Sequence, residues 1–192
     1  LMPPERDEQT PYYRLDPDTV ISAVESTGLL CDGRLLALNS YENRVYQVGI
    51  DDAQPVVAKF YRPGRWSDDA IREEHSFSAE IAAAEVPLVP PLVIGGQTLH
   101  FHEGFRFALF ERRGGHAPEL DHKDTRLWLG RFLGRLHAVG AASDFVHRPA
   151  LTPERYGHES IATILEGQWL PPHIAEAFES LATDLMVSVE AA

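Results

Sequence analysis

The stretch Val-Val-Ala-Lys-Phe-Tyr at residues 56–61 places a lysine inside a run of β-branched and aromatic residues. Such a run is typical of a β-strand, and alternation along the strand puts Lys59 on one face with Val57 and Tyr61. Both faces are then mostly apolar, so the lysine has few solvent-facing neighbours. A buried ammonium needs a carboxylate or a bound polyanion. An ordinary outward-facing strand lysine is the alternative interpretation.

The next predicted helix offers a carboxylate for this lysine. Ser67 is expected to cap the helix, which runs to about Ala84. Steps of four and three residues set one apolar stripe along it: Ala70, Glu74, Phe77, Ile81 and Ala84. Glu73 and Glu80 are rotated from Glu74 by about 100° and about 120° and are expected to meet water. Glu74 is therefore predicted to pair with Lys59; a half-exposed carboxylate at the stripe edge is the alternative.

The segments around this strand and helix predict an α+β fold with a five-stranded antiparallel sheet and one inserted helix. A short helix begins at Asp16 and Pro17, and strands are predicted at 34–38, 45–48 and 56–61. Two glycines at 95–96 are predicted to join residues 92–94 to 98–101 as a hairpin, and residues 105–110 form the last strand. Helical spacing of apolar residues then dominates from about residue 124 onward.

Composition and charge limit what the chain can bind. The net charge of -12 disfavours attraction to nucleic acid or to an anionic membrane, so any phosphate must meet a local positive site. A single cysteine, Cys31, excludes an intramolecular disulfide and fits a reducing cytoplasm. No run approaches the length of a membrane span, and the first residues lack the apolar segment of a signal peptide. We therefore expect a cytoplasmic protein without nucleic-acid or membrane partners.

Two further patterns have both a functional and an ordinary interpretation. The polar turn at 39–44 carries Ser40 and Asn43, whose side chains and backbone N–H groups can receive phosphate oxygens. It contains no glycine, and an ordinary hairpin turn explains it equally. His100 and His102 share one strand face, but no further ligand is spaced to complete a metal site. Solvent-facing histidines are the simpler interpretation, and no metal site is predicted.

Four longer motifs carry a resemblance to a known family. They are Leu-Asn-Ser-Tyr-Glu-Asn-Arg-Val-Tyr-Gln at 38–47, Val-Val-Ala-Lys-Phe-Tyr-Arg-Pro at 56–63, Gly-Gln-Thr-Leu at 96–99 and Gly-Arg-Phe-Leu-Gly-Arg-Leu-His at 130–137. Together they resemble the bacterial stress response kinase A family, in the aminoglycoside phosphotransferase and choline kinase branch of the kinase-like fold. The resemblance covers most of the chain, from about residue 15 to about residue 190.

The resemblance implies a protein-kinase-like fold and a division of the chain. A flexible N-terminus over 1–14 would precede a nucleotide-binding lobe over 15–110. A hinge over 111–116 would lead to the start of a helical lobe over 117–192. The implied activity is transfer of a phosphoryl group from ATP to serine or threonine of a protein substrate, with Mg²⁺ as a second cofactor.

The same resemblance assigns roles to individual residues. Lys59 would hold the α and β phosphates, Glu74 would orient Lys59, and Ser40 would lie in the nucleotide loop. The hinge residues would contact adenine through their backbone: Phe110, Glu111 and Arg112. These residues, with Asn43 of the polar turn, are the candidate nucleotide-binding site.

The catalytic half of the family pattern is missing from the sequence. It contains no His-Gly-Asp loop with a downstream asparagine and no following metal-binding aspartate. The pair His147-Arg148 comes nearest, but Pro149 follows where an aspartate is required. Nothing then accepts the substrate hydroxyl proton or holds Mg²⁺, so the chain alone is predicted to be inactive, with the Mg²⁺ ligands elsewhere.

Two hypotheses about the whole protein remain open. In the first, the chain is the nucleotide-binding part of a stress response kinase and stops before the catalytic loop. In the second, it is a non-catalytic kinase-like module that binds nucleotide or a partner protein. A reading frame that continues into a His-Gly-Asp motif would remove the second hypothesis.

Overall fold

The computed structural model describes residues 11–191, and the chain divides into two compact units between Arg148 and Pro149. Most of the predicted flexible N-terminus, residues 1–10, lies outside the described residues. Tyr12, which follows, is buried and donates its hydroxyl hydrogen bond to the Glu42 carbonyl at 3.0 Å, so the core includes it. The predicted hinge over 111–116 lies within the first unit and stays a prediction.

The first unit is built on a five-stranded antiparallel sheet with the strand order β1-β2-β3-β5-β4. The strands are β1 (Cys31–Leu38), β2 (Arg44–Ile50), β3 (Val56–Phe60), β4 (His100–His102) and β5 (Phe105–Glu111). Three helices accompany the sheet: α1 (Pro17–Glu25), α2 (Asp68–Ala83) and α3 (Lys123–Gly140). The prediction of an α+β fold with a five-stranded sheet and a helix inserted after the third strand is confirmed.

Side-chain caps explain where the first two helices begin. The Asp16 carboxylate accepts a hydrogen bond from the Thr19 N–H at 2.8 Å, with Pro17 in the first turn of α1. The Ser67 hydroxyl accepts one from the Ala70 N–H at 3.1 Å, and two acidic residues follow in the first turn of α2. Both helix starts agree with the sequence predictions.

The sheet buries a different set of side chains on each face. One face packs against α1 in a core cluster of Tyr12, Leu15, Val20, Ala23, Val24, Val48, Ile50, Val56, Ala58, Phe60, Phe105, Phe107 and Leu109. The opposite face packs against α2 in a smaller cluster of Tyr61, Ile71, Leu99 and Ala108, bordered by Trp66 and Phe110. The β3 alternation predicted from sequence is therefore confirmed, with Ala58 and Phe60 on the first face and Tyr61 on the second.

The turn predicted at residues 95–96 is confirmed, but the predicted pairing of the strands on either side of it is wrong. Ile94 and Gln97 exchange backbone hydrogen bonds of 2.9 and 3.1 Å around two glycines with positive φ. Leu92, however, donates its N–H to β5, and Pro91 has no N–H to extend a ladder. The hairpin partner of β5 is the short β4 instead.

The helix α3 confirms the predicted helical segment and contacts α2. The ring of Phe77 in α2 lies 3.3 Å from where a side chain on Gly140 would begin. Phe145, just beyond α3, meets Phe77 edge to face at a centroid distance of 5.1 Å. No residue of α3 is buried, and its apolar stripe is exposed, with Leu129 at 37% and Leu133 at 49%.

The second unit consists of a helix pair. A π-helical turn (Glu154–His158) leads into α4 (Glu159–Glu166), and α5 (Pro172–Glu190) packs against them with Ala182 and Met186 buried. His158 and Glu190 form an ion pair at 2.7 Å, and the carboxylate raises the pKa of the imidazole. None of the described helices combines the length and apolarity needed to cross a bilayer.

Candidate functional site

Lys59 and Glu74 form the centre of the candidate site. The Lys59 ammonium lies 3.0 Å from Oε1 of Glu74, as the stripe of α2 predicted. Within the sheet, Lys59 is opposite Val45 of β2 and Ala108 of β5. The side chains are 24% and 35% exposed, so the pair is open to a ligand from one side.

The charges around Glu74 keep it ionised. Burial raises the pKa of Glu74, but the Lys59 ammonium and then the Arg148 guanidinium outweigh burial and hold that pKa below its usual range. A carboxylate that stays charged can hold the Lys59 side chain in place through the ion pair. The pair can therefore present one positive charge to an anion.

Arg148 is a second cation on Glu74 that sequence reasoning dismissed. Its guanidinium contacts Oε2 of Glu74, the oxygen that Lys59 does not use. The Arg148 Nε donates a hydrogen bond to the Ala70 carbonyl at 3.0 Å. The guanidinium carbon, Cζ, lies 4.2 Å from the centroid of the Trp66 ring. No local pattern links residues 74 positions apart, so only the folded chain shows that the carboxylate is shared.

Glu73 is partly exposed, but it also binds a loop that the sequence did not indicate. Its carboxylate accepts backbone hydrogen bonds from Val146, His147 and Arg148 at distances of 2.5 to 3.2 Å. Partial burial raises the pKa of Glu73, and these N–H groups lower it further than burial raises it. Helical rotation gives the direction of the side chain but not which loop lies there, so the prediction that Glu73 meets water holds only in part. Glu80 is exposed, as expected.

The other predicted nucleotide contacts lie in the turn before β2 and at the end of β5, the two strands that pair with β3. Ser40 is exposed in the β1–β2 turn, and Asn43 Oδ1 accepts from the Arg62 N–H at 3.3 Å. This turn leads into β2, which pairs with the lysine strand. Phe110 and Glu111 end β5 on the other side of β3, with Glu111 paired to Arg113 at 2.5 Å. Arg112 follows as an exposed residue.

A half-buried apolar row lies beside the lysine on the same sheet face. Val57 is opposite Phe110 in β5, and Val45 is opposite Lys59 in β2. Directly opposed residues of antiparallel strands share a face, so these three apolar side chains border the ammonium. Each is partly exposed. The face therefore offers an apolar surface next to a positive charge.

A buried polar chain under α2 escaped the sequence reasoning. The Tyr61 hydroxyl lies 2.6 Å from Nε2 of His75, whose Nδ1 lies 2.8 Å from the Thr98 hydroxyl. Burial lowers the pKa of His75 to about 4, so the ring is neutral near pH 7 and uses one nitrogen as donor and one as acceptor. The Tyr61 ring also lies under the Lys59 ammonium at 4.8 Å.

The strand histidines are packed rather than solvent-facing. His102 Nε2 lies 2.8 Å from the Ser22 hydroxyl, and the His100 ring packs against Phe107 at 5.4 Å. The simpler interpretation made from sequence is therefore wrong on exposure. Across residues 11–191, no three His, Cys, Asp or Glu side chains converge into a group that would hold a metal ion.

The sequence pattern of the phosphotransferase enzyme family matches residues 34–182. The chain belongs to this family. It is 39% identical over 180 residues to "Stress response kinase A" of Escherichia coli strain K12, covering 94% of this chain and 55% of that protein. It is 41% identical over 182 residues to "Serine/threonine protein kinase RdoA" of Salmonella typhimurium, covering 95% and 55%. The resemblance seen in the motifs is thus confirmed, and the chain spans about half the length of these curated relatives.

A solved structure with the same fold confirms the kinase-like architecture. The amicoumacin kinase hAmiN, solved with AMP-PNP, Ca²⁺ and Ami, superposes with a TM-score of 0.60 at 17% identity. The superposition covers 88% of this chain and 53% of that one. At 17% identity, this similarity supports a conclusion about the fold of the present chain and about nothing else.

Proposed function

We propose that this chain forms the ATP-holding part of a phosphotransferase that acts on serine or threonine of a protein substrate. The observation that carries the proposal is the 3.0 Å pair between a strand lysine and a helix carboxylate in a chain of the phosphotransferase family. The name of the Salmonella typhimurium relative, a serine/threonine protein kinase, supports a protein substrate, and the AMP-PNP bound to hAmiN supports a nucleotide. A cytoplasmic location remains part of the proposal.

The residues around Lys59 fit the two ends of a nucleotide. The half-exposed ammonium is suited to the α and β phosphates, and the β1–β2 turn with Ser40 and Asn43 can add hydrogen bonds to phosphate oxygens. Adenine would lie over the apolar row and contact the backbone at residues 110–112. Bound ATP would supply the phosphoryl group. Lys59 would orient that group, and the ion pair with Glu74 would hold Lys59 in place.

The residues that would complete catalysis are proposed to lie outside this chain. The sequence has no His-Gly-Asp motif, and the described residues do not present a carboxylate set for Mg²⁺. We therefore assign no step of phosphoryl transfer to the residues present. The alternative is a non-catalytic module that binds nucleotide or a partner, and a longer reading frame with the missing motif would exclude it.

Amine labelling gives a direct test, because Lys59 and Lys123 are the only lysines in the chain. Trace acetylation followed by peptide mass spectrometry measures both rates in one sample. We expect Mg-ATP to slow the acetylation of Lys59 and to leave the exposed Lys123 unchanged. Protection should require nucleotide well above the micromolar range, since half of the cleft is proposed to come from elsewhere.

Adenosine is the matched control ligand, since it keeps the base and lacks the phosphates that Lys59 would hold. We expect adenosine to protect Lys59 far less than Mg-ATP. Equal labelling of Lys59 with and without millimolar Mg-ATP would contradict the proposed function. Sub-micromolar affinity measured by calorimetry would instead contradict the division of the cleft.

A further inference from the structure

Glu74 is held from two sides, and the second side comes from a segment far along the chain. Lys59 takes Oε1, while Arg148 takes Oε2. We infer that Arg148 is a positioning residue for the Lys59–Glu74 pair, and that residues 145–148 clamp α2 with Glu74 facing Lys59. This inference deepens the proposed function and rests on it, because the pair matters for nucleotide only if Lys59 binds the phosphates.

The clamp, residues 145–148, is fixed to α2 by three separate kinds of contact. The Glu73 carboxylate accepts three consecutive backbone N–H groups of the clamp, an arrangement typical of anion-binding turns. Phe145 packs against Phe77 one turn further along the helix. The Arg148 side chain then reaches the first turns of α2. The backbone N–H groups, the Phe145 ring and the Arg148 guanidinium therefore all attach the clamp to the same helix, α2.

Arg148 makes more contacts than a surface ion pair does. Its guanidinium donates from Nε to the Ala70 carbonyl and from a terminal nitrogen to Glu74, while its face lies on Trp66. The planar guanidinium, with its donors in fixed directions, can make these three contacts at once, and a lysine ammonium could not. With the side chain 22% exposed, the guanidinium is shielded from most competing water.

The second cation restricts how Glu74 can move. A glutamate held at one oxygen can still rotate about its side-chain bonds, and ordering a long side chain costs entropy. Holding both oxygens fixes the carboxylate plane, and the tie to Ala70 fixes the helix beneath it. Lys59 is then aimed before a ligand arrives, which is how preorganised sites lower the cost of binding.

A competing role for Arg148 predicts the opposite outcome. If Arg148 only drew Glu74 away from Lys59, its removal would strengthen the lysine pair. In the structure both contacts coexist, with the Lys59 to Glu74 distance still 3.0 Å. Loss of a positioning residue loosens the pair, whereas loss of a competitor tightens it.

The acetylation rate of Lys59 relative to Lys123, without nucleotide, tests the clamp. For Arg148→Met we expect this ratio to rise roughly two- to fivefold, as for the loss of a half-exposed ion pair. Arg135→Met is the matched control, because Arg135 ties α3 to the Ala84 and Glu85 carbonyls at 2.8 and 3.0 Å. That contact is at the far end of α2, so the control ratio should stay unchanged. An unchanged or lower ratio in Arg148→Met overturns the inference.

A second variant keeps the test decisive if Arg148→Met fails to fold by circular dichroism. Glu73→Gln removes the charge that holds the clamp backbone and leaves the Arg148 side chain in place. We expect a smaller rise in the same ratio, and no rise would overturn the inference. The half-protecting Mg-ATP concentration should also rise two- to fivefold in Arg148→Met. If wild-type Lys59 is not protected at all, the proposed function fails, while the ratio without nucleotide still judges the clamp.

Discussion

The two faces of the sheet differ in what they bury. The face against α1 buries apolar side chains almost completely, with Phe60 and Phe107 at 0% exposure and their rings stacked at 5.3 Å. The face against α2 buries a tyrosine–histidine pair and borders a half-exposed ion pair. Apolar burial stabilises a fold, whereas desolvated polar groups cost free energy unless they are paired. The first face is an apolar core, and the second carries the partly exposed charges of the candidate site.

Adjacent residues of β3 make this contrast sharpest. Phe60 points into the α1 side, where three aromatic rings surround it: Tyr46, Phe105 and Phe107. Lys59 points to the α2 side and is 24% exposed. A shift of one residue along the strand thus separates a fully buried core residue from a residue of the candidate site.

The largest expected effect is that of Phe60→Ala. Removing a fully buried ring from the α1 side should lower the free energy of unfolding by about 3–5 kcal/mol. Urea denaturation measures the loss, and Phe101→Ala, at a 54% exposed ring, should change stability by less than about 0.5 kcal/mol. Equal losses in the two variants would erase the distinction between buried and exposed rings.

Protonation of His75 should give the next largest effect, on the α2 side. The pKa of His75 is lowered to about 4 in the fold, while an unfolded histidine titrates near 6.5. As pH falls through that window, the unfolded chain takes up the proton first, so up to about 3 kcal/mol of stability is lost. His75→Gln should flatten the slope between pH 6.5 and 4 in urea titrations. A parallel slope in wild type and variant would show that His75 is not the titrating group.

The cap of α2 should contribute less. Ser67→Ala removes the hydroxyl that accepts from the Ala70 N–H and should cost about 1 kcal/mol. Ser76→Ala, at an exposed position within the same helix, is the control and should be neutral or slightly stabilising. Thermal unfolding compares the two, and a neutral Ser67→Ala would mean that packing alone sets the helix start.

The smallest effect on stability is expected for Lys59→Ala. Glu74 keeps its contact with Arg148 in this variant, and a half-exposed pair contributes no more than about 1 kcal/mol. Unfolding should stay cooperative, while any nucleotide affinity measured by calorimetry is lost. A loss of stability as large as that of Phe60→Ala would place Lys59 among the residues that hold the fold. Unchanged nucleotide binding would remove Lys59 from the site.

Much of the first unit could be predicted because its signals are local. Strand alternation placed Lys59, the helical stripe selected Glu74, and side-chain caps marked the helix starts. The predicted pairing of residues 92–94 with 98–101 was wrong because a tight turn determines only its nearest residues. In the structure, β4 pairs with β5 instead. The buried link between Tyr61 and His75 had no local signal, since neither residue type by itself indicates burial.

The sequence by itself determined most of the helices and strands, and the faces on which Lys59 and Glu74 lie, because alternation and helical spacing act over a few residues. Only the tertiary structure decided that Glu74 has a second cation and that Glu73 binds the backbone of residues 146–148. Those contacts join positions more than seventy residues apart, where periodicity carries no information. Lys59 was visible in the strand, and what holds its partner in place became visible only in the fold.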